Sequence, residues 1–184
     1  MKRLKEAVIT PGTSVIYPNY DEQGKLCAVV LRNGKLVRVG ESPTNIVDLS
    51  LRNYGSSLRG AVDGTKMMLG EISMSPVVVS EVLNMYWFPS KSPSSDDCVW
   101  FALGHIYSYK SVDKDRTRVI LRDGTSFMIY CSYYSFTQKY QRACMLKNRL
   151  EARTAQMKLE KPRHSISFVI FKDPKKPNYE VTEE

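Results

Sequence analysis

"TRVILRDGTSFMIYCSYYSFTQKYQRACMLKNRL", residues 117–150, changes its hydrophobic period once, and that change decides the fold. The first half alternates apolar and polar residues on two arms that meet at Asp123-Gly124, the signal of an antiparallel hairpin. After Ser135 the spacing lengthens. Phe136, Tyr140, Ala143, Leu146 and Leu150 recur every three or four residues and mark one buried face of an α-helix. Ser135-Phe136-Thr137-Gln138 has the capping-box form, in which Ser and Gln side chains satisfy free backbone donors. The expected helix spans about 136–160 and ends before Pro162.

Upstream of this stretch the chain reads as strands. "KLCAVVLRNGKLVRVG", residues 25–40, predicts a hairpin turning at Asn33-Gly34. "SPVVVSEVLNMYWFP", residues 75–89, predicts β-structure interrupted at Asn84, and a polar loop, "SKSPSSDD", follows. "VWFALGHIYSYKSV", residues 99–112, reads as a strand broken or bulged near Gly104. Trp87, Phe88 and Trp100 are assigned to the core, or to a dimer contact if exposed. The fold class is therefore α+β: mainly antiparallel β, as a curved sheet or small barrel with hairpins, followed by one long C-terminal amphipathic helix. Residues 1–41 form an N-terminal hairpin region, 42–161 the core domain and 162–184 a tail.

The 184 residues carry 27 Lys plus Arg against 19 Asp plus Glu, a net +8 that favours nucleic acid, anionic lipid or an acidic protein, or serves solubility alone. No signal-peptide core and no membrane span is read from the sequence. Cys27, Cys98, Cys131 and Cys144 are far apart, as expected of reduced thiols in the cytoplasm. Catalysis has little material. The two histidines, His105 and His164, lack a triad context, and Asp96-Asp97 sit in a Ser-rich loop. There is no GxSxG elbow, and zinc-ligand spacing is missing. "LRNYGSSLRGAVDGTK", residues 51–66, is rich in glycine and cations but lacks the GxxxxGK[ST] order of a nucleotide-hydrolysing loop. Neither an enzyme nor a cofactor or metal is expected.

Three segments, "IVDLSLRNYGSSLRGAVDGTKMMLG", "YWFPSKSPSSDDCVWFALGHI" and "LRDGTSFMIYCSYYSFTQKYQRACML", closely resemble the competence transcription factor family, ComK. The shared order covers about residues 42–150. It includes the GSS-x-x-G-x-x-x-GT segment, the FP-x-x-SP and CxW elements, and a helix start at Ser132-Tyr133-Tyr134-Ser135-Phe136 with Gln138 or Gln141 and Arg142. The resemblance implies a cytoplasmic, nucleoid-associated DNA-binding activator of DNA-uptake genes. Such proteins recognise paired A/T-rich boxes through the minor groove, as homodimers that assemble in pairs; RNA polymerase is a further partner. Arg52, Ser56, Ser57, Arg59 and Lys66 then read as phosphate or groove contacts, the alternative being a glycine-rich turn with solvated cations. Lys139, Arg142, Lys147, Arg149 and Arg153 offer a second surface on the helix, the alternative being a solvated basic face.

The resemblance also implies an adaptor that delivers the protein to a cytoplasmic protease. Phe168-Val169-Ile170-Phe171-Lys172 resembles the docking run, although the proline before the lysine is missing; a final edge strand is the alternative. Outside the resemblance, a non-enzymatic module for anionic lipid or a protein partner stays open, and an RNA-binding module is a weaker third reading because no RNP or GXXG motif is present.

Overall fold

A computed structural model describes residues 8–159 and 167–183. The expected helix end at 160, the boundary at 161–162 and His164 lie outside the described residues. The chain divides into two compact units, Met1–Leu150 and Glu151–Glu184.

The first unit contains a six-stranded antiparallel sheet. Its strands are β1 (Thr13–Tyr20), β2 (Leu26–Arg32), β3 (Lys35–Val39), β4 (Val77–Ser80), β5 (Met85–Pro89) and β6 (Trp100–Ala102), in the order β3-β2-β1-β6-β5-β4. A separate sheet, in the order β7-β8-β9, is made of β7 (Ile106–Ser111), β8 (Thr117–Leu121) and β9 (Ser126–Ile129). Both sheets are open. The expected turns are present: Asn33 and Gly34 both take positive φ, 49° and 73°, as a two-residue hairpin loop requires. Gly124, at φ 85°, closes the β8–β9 turn. Asn84, at φ 54°, separates β4 from β5. The break near Gly104 is a 3₁₀ turn, Leu103–His105, that carries the chain from one sheet to the other.

Alternation along the six-stranded sheet feeds two cores. Ile16, Ala28, Val30, Trp87, Trp100 and Ala102 face one side, whereas Val15, Leu31, Tyr86, Phe88 and Phe101 face the other. The first side is covered by two helices that the sequence reading did not anticipate, α1 (Pro43–Asn53) and α2 (Leu58–Leu69). Trp100 is fixed there by donating its indole N–H to Thr44 Oγ1 on α1, at 3.2 Å. The second side is covered by β7–β9 and by α3 (Tyr133–Leu159). Phe136, Ala143, Leu146 and Leu150 are buried in it as the helical spacing predicts. Tyr109 of β7 packs against Phe136 and Tyr140 of α3, with ring centroids 5.0 and 5.2 Å apart. Trp87, Phe88 and Trp100 are core residues.

The helix cap differs from expectation. α3 starts at Tyr133, and Ser132 is its cap: Ser135 N–H donates to Ser132 Oγ (3.3 Å) and Phe136 N–H to Ser132 O (2.9 Å). Ser135 and Gln138 lie inside the helix, where Gln138 Nε2 donates to Tyr134 Oη. Among the described residues no helix is long and apolar enough to cross a membrane.

Candidate nucleic-acid interface

The glycine-rich segment is a helix–turn–helix junction rather than a turn between strands. α1 ends in a Schellman motif, with Ser56 N–H donating to Leu51 O (2.8 Å) and Gly55 N–H to Arg52 O (3.1 Å). Gly55 takes φ 85°, the left-handed conformation this stop requires. Ser57 then caps α2, its Oγ accepting from Gly60 N–H at 3.1 Å. Gly60 and Gly64 lie within α2 itself. Asp48 of α1 ties the junction together by accepting from Leu58 N–H (2.8 Å) and Arg52 Nε (2.8 Å).

These contacts sort the predicted residues. Arg52 is ion-paired with Asp48, and Lys66 with Glu71 at 2.8 Å. Ser57 is occupied as a cap, whereas Ser56 is exposed. Arg59 is the freest cation of the junction: its side chain is 94% exposed and stands 3.9 Å from Asp63. The exposed end of the junction is thus Ser56 and Arg59, with Arg52 beside them.

The basic side of α3 is largely engaged within the fold. Lys139 is buried at 3% exposure, a correction to its place on a DNA-facing surface. Its ammonium donates to Ser135 Oγ (2.6 Å) and Ser135 O (3.3 Å) and faces Cys131 Sγ (3.9 Å). Arg142 donates to Ser73 O at 3.1 Å, and Arg149 donates to Met68 O in the last turn of α2. Lys147 lies over the Tyr86 ring, 5.9 Å from its centroid. Arg153 is exposed and belongs to the second unit.

Two features escaped the sequence reading. Asp48 shows no motif of its own, although Ser42-Pro43 is an N-cap followed by Pro at the first helical position and announces α1. Lys110 and Arg118 lie opposite each other on β7 and β8, both exposed. The alternation of the hairpin arms could have placed Arg118 outward.

In the second unit, β10 (Phe168–Phe171) pairs antiparallel with β11 (Glu180–Glu183) in a two-stranded sheet. Phe168, Val169, Ile170 and Phe171 are all exposed, and Lys172 Nζ stands 5.5 Å from the Tyr179 ring centroid. The apolar run is therefore one strand of a two-stranded hairpin.

His105 Nε2 lies 2.8 Å from Pro11 O. The four cysteines are free thiols, and burial pushes Cys98 up to about 11. Among the described residues no three His, Cys, Asp or Glu side chains are grouped to hold a metal ion.

The family model of the ComK protein matches residues 4–155. A relative named "Competence transcription factor", from Bacillus subtilis (strain 168), is 26% identical over 150 residues, covering 82% of this chain and 78% of the relative. No solved structure matches. With the family model spanning both helices of the junction, both large sheets and most of α3, this chain belongs to the ComK family.

Proposed function

We propose that this protein is a non-enzymatic transcription activator that binds double-stranded DNA upstream of genes for DNA uptake. One observation carries the reading: membership of a family in which a relative matched over most of both chains is named a competence transcription factor. The net charge of +8 supports it, since duplex DNA is a dense polyanion. Its targets are paired A/T-rich boxes, read largely through the minor groove, which is narrow and strongly negative where A·T pairs run together. The active species is a homodimer that assembles in pairs and works with RNA polymerase in the nucleoid.

Ser56 and Arg59 at the α1–α2 junction contact phosphate, and Arg52 joins them by exchanging Asp48 for DNA. The exposed run Phe168–Phe171, with Lys172, docks the adaptor that hands the protein to a cytoplasmic protease.

Fluorescence anisotropy tests the reading, with a duplex carrying two A/T-rich boxes and a G·C-substituted duplex of equal length. Preference for the A/T duplex is expected, together with a weaker complex for Arg59→Ala. If six to ten phosphates are neutralised, affinity falls by roughly 10³ to 10⁵ between about 50 and 200 mM salt. Equal weak binding to both duplexes, or a flat salt response, overturns the proposal.

A further inference from the structure

The sheet β7-β8-β9 uses one face for the core. Tyr109, Val119 and Phe127 stand side by side across its three strands and pack into the cluster beneath α3. The next rung, Lys110–Arg118–Met128, points the opposite way, and all three side chains are exposed. Lys110 and Arg118 are direct cross-strand neighbours, and among the described residues neither has an ion pair or a side-chain hydrogen bond. Like charges set opposite each other on a ladder repel. Folding therefore gains nothing from this pair, because the inner rung already provides the packing.

The charges around the rung single it out. Asp113, Lys114, Asp115 and Arg116 at the β7–β8 turn balance one another, as do Arg122 and Asp123 at the β8–β9 turn, so the excess positive charge of this sheet is that of Lys110 and Arg118. Arg116, beside the first turn, is neutralised by Asp113. What remains is a narrow cationic track running across the strands, continued by exposed Met128 and flanked by Tyr130, which is 72% exposed. Two inter-strand spacings make the rung about 10 Å wide. That suits a groove about 6 Å across together with its phosphate margin. A linear polyanion crossing the strands meets both cations of the track at once.

We infer that the outward rung Lys110–Arg118–Met128 is a duplex-DNA contact, with the two cations on backbone phosphates and Met128 and Tyr130 offering apolar surface to the groove. The inference rests on the DNA-binding reading above. It adds a surface on the layer opposite α1 and α2, across the six-stranded sheet.

The test is the salt dependence of duplex affinity for the full chain, comparing Lys110→Gln/Arg118→Gln with Lys25→Gln/Lys35→Gln, which removes the same charge from exposed positions elsewhere. At about 0.9 per phosphate, loss of two contacts lowers the slope of log affinity against log salt by about 1.8, or about 30-fold in affinity at ~0.15 M salt. The Lys25/Lys35 variant keeps the wild-type slope. Amine labelling of Lys110 in the unmodified protein reads the same contact without a mutation, and protection by the duplex is expected. If the wild type binds no duplex, the DNA-binding reading and this inference fall together. If the wild type binds and the Lys110/Arg118 variant keeps its slope, or Lys110 labels equally with and without DNA, only this surface is overturned. Capture by phosphatidylserine vesicles that is lost in the variant while duplex binding persists assigns the rung to lipid and overturns it too.

Discussion

Asp48 accepts the Leu58 amide and the Arg52 guanidinium, so one carboxylate joins the start of α2 to α1. The Leu58 N–H first, then Arg52, hold its carboxyl below the ordinary value of 3.8, against the opposing effect of partial burial. A depressed carboxylate contributes stability that is present above its ordinary pKa and is lost as pH falls through the lower folded value. Urea midpoints should therefore drop as pH is taken below about 4, and Asp48→Ala should flatten part of that drop while costing about 1 kcal/mol near neutral pH. Asp97, held low first by Lys91 and then by Ser95, contributes with the same sign. Cys98 behaves oppositely: burial pushes its thiol up to about 11, so thiolate is scarce at ordinary pH. Iodoacetamide at pH 8 should leave Cys98 unlabelled in the folded protein and modify it on unfolding, which peptide mapping resolves. Lys139→Met should leave duplex affinity unchanged, because the ammonium is spent on Ser135; a clear loss of affinity would return this residue to the interface.

α2 is held at its C-terminal end by α3. Arg149 reaches a carbonyl in the last turn of α2, where the helix leaves acceptors unpaired, and Arg142 takes Ser73 O in the loop beyond. Arg142→Ala and Arg149→Ala should each lower unfolding free energy by about 1 kcal/mol in denaturant titrations. Any weakening of DNA binding would then accompany a displaced α2, visible as faster amide exchange around Met68. These elements also mark how far a sequence reading can go. The hairpins β2–β3, β4–β5 and β8–β9 were legible because Asn33-Gly34, Asn84 and Asp123-Gly124 are turn chemistry, and the start of the α3 face because Phe136, Ala143, Leu146 and Leu150 keep a helical period; β1 was not read as a strand. α2 was not, because Gly60 and Gly64 each disfavour a helix by about 1 kcal/mol and mimic a loop. Packing of Leu58, Ala61 and Val62 on the six-stranded sheet overrides that local preference. The site residues were legible only as residue types. Sequence spacing on α3 put Lys139 beside Arg142, but one side chain turns back to Ser135 and the other outward to the loop after α2.

At the scale of the whole molecule, every buried hydrophobic side chain among the described residues lies between Ile9 and Leu150. A chain truncated after Leu159 should therefore melt at the temperature of the full protein by circular dichroism, while losing the apolar hairpin proposed to dock the adaptor. A melting point lowered by many degrees would mean that the second unit supports the first. The order β3-β2-β1-β6-β5-β4 carries a further consequence, for synthesis on the ribosome. β1 bonds β2 along one edge almost at once, but its other edge pairs Ile16 with Trp100. At roughly 5–20 residues per second, the partner emerges about 4–17 s after β1. During that interval the nascent hairpin shows an open, strongly apolar margin to every other chain on the same message. The crowded polysome, before any promoter is met, is where this sequence runs its greatest risk of pairing with the wrong copy of itself.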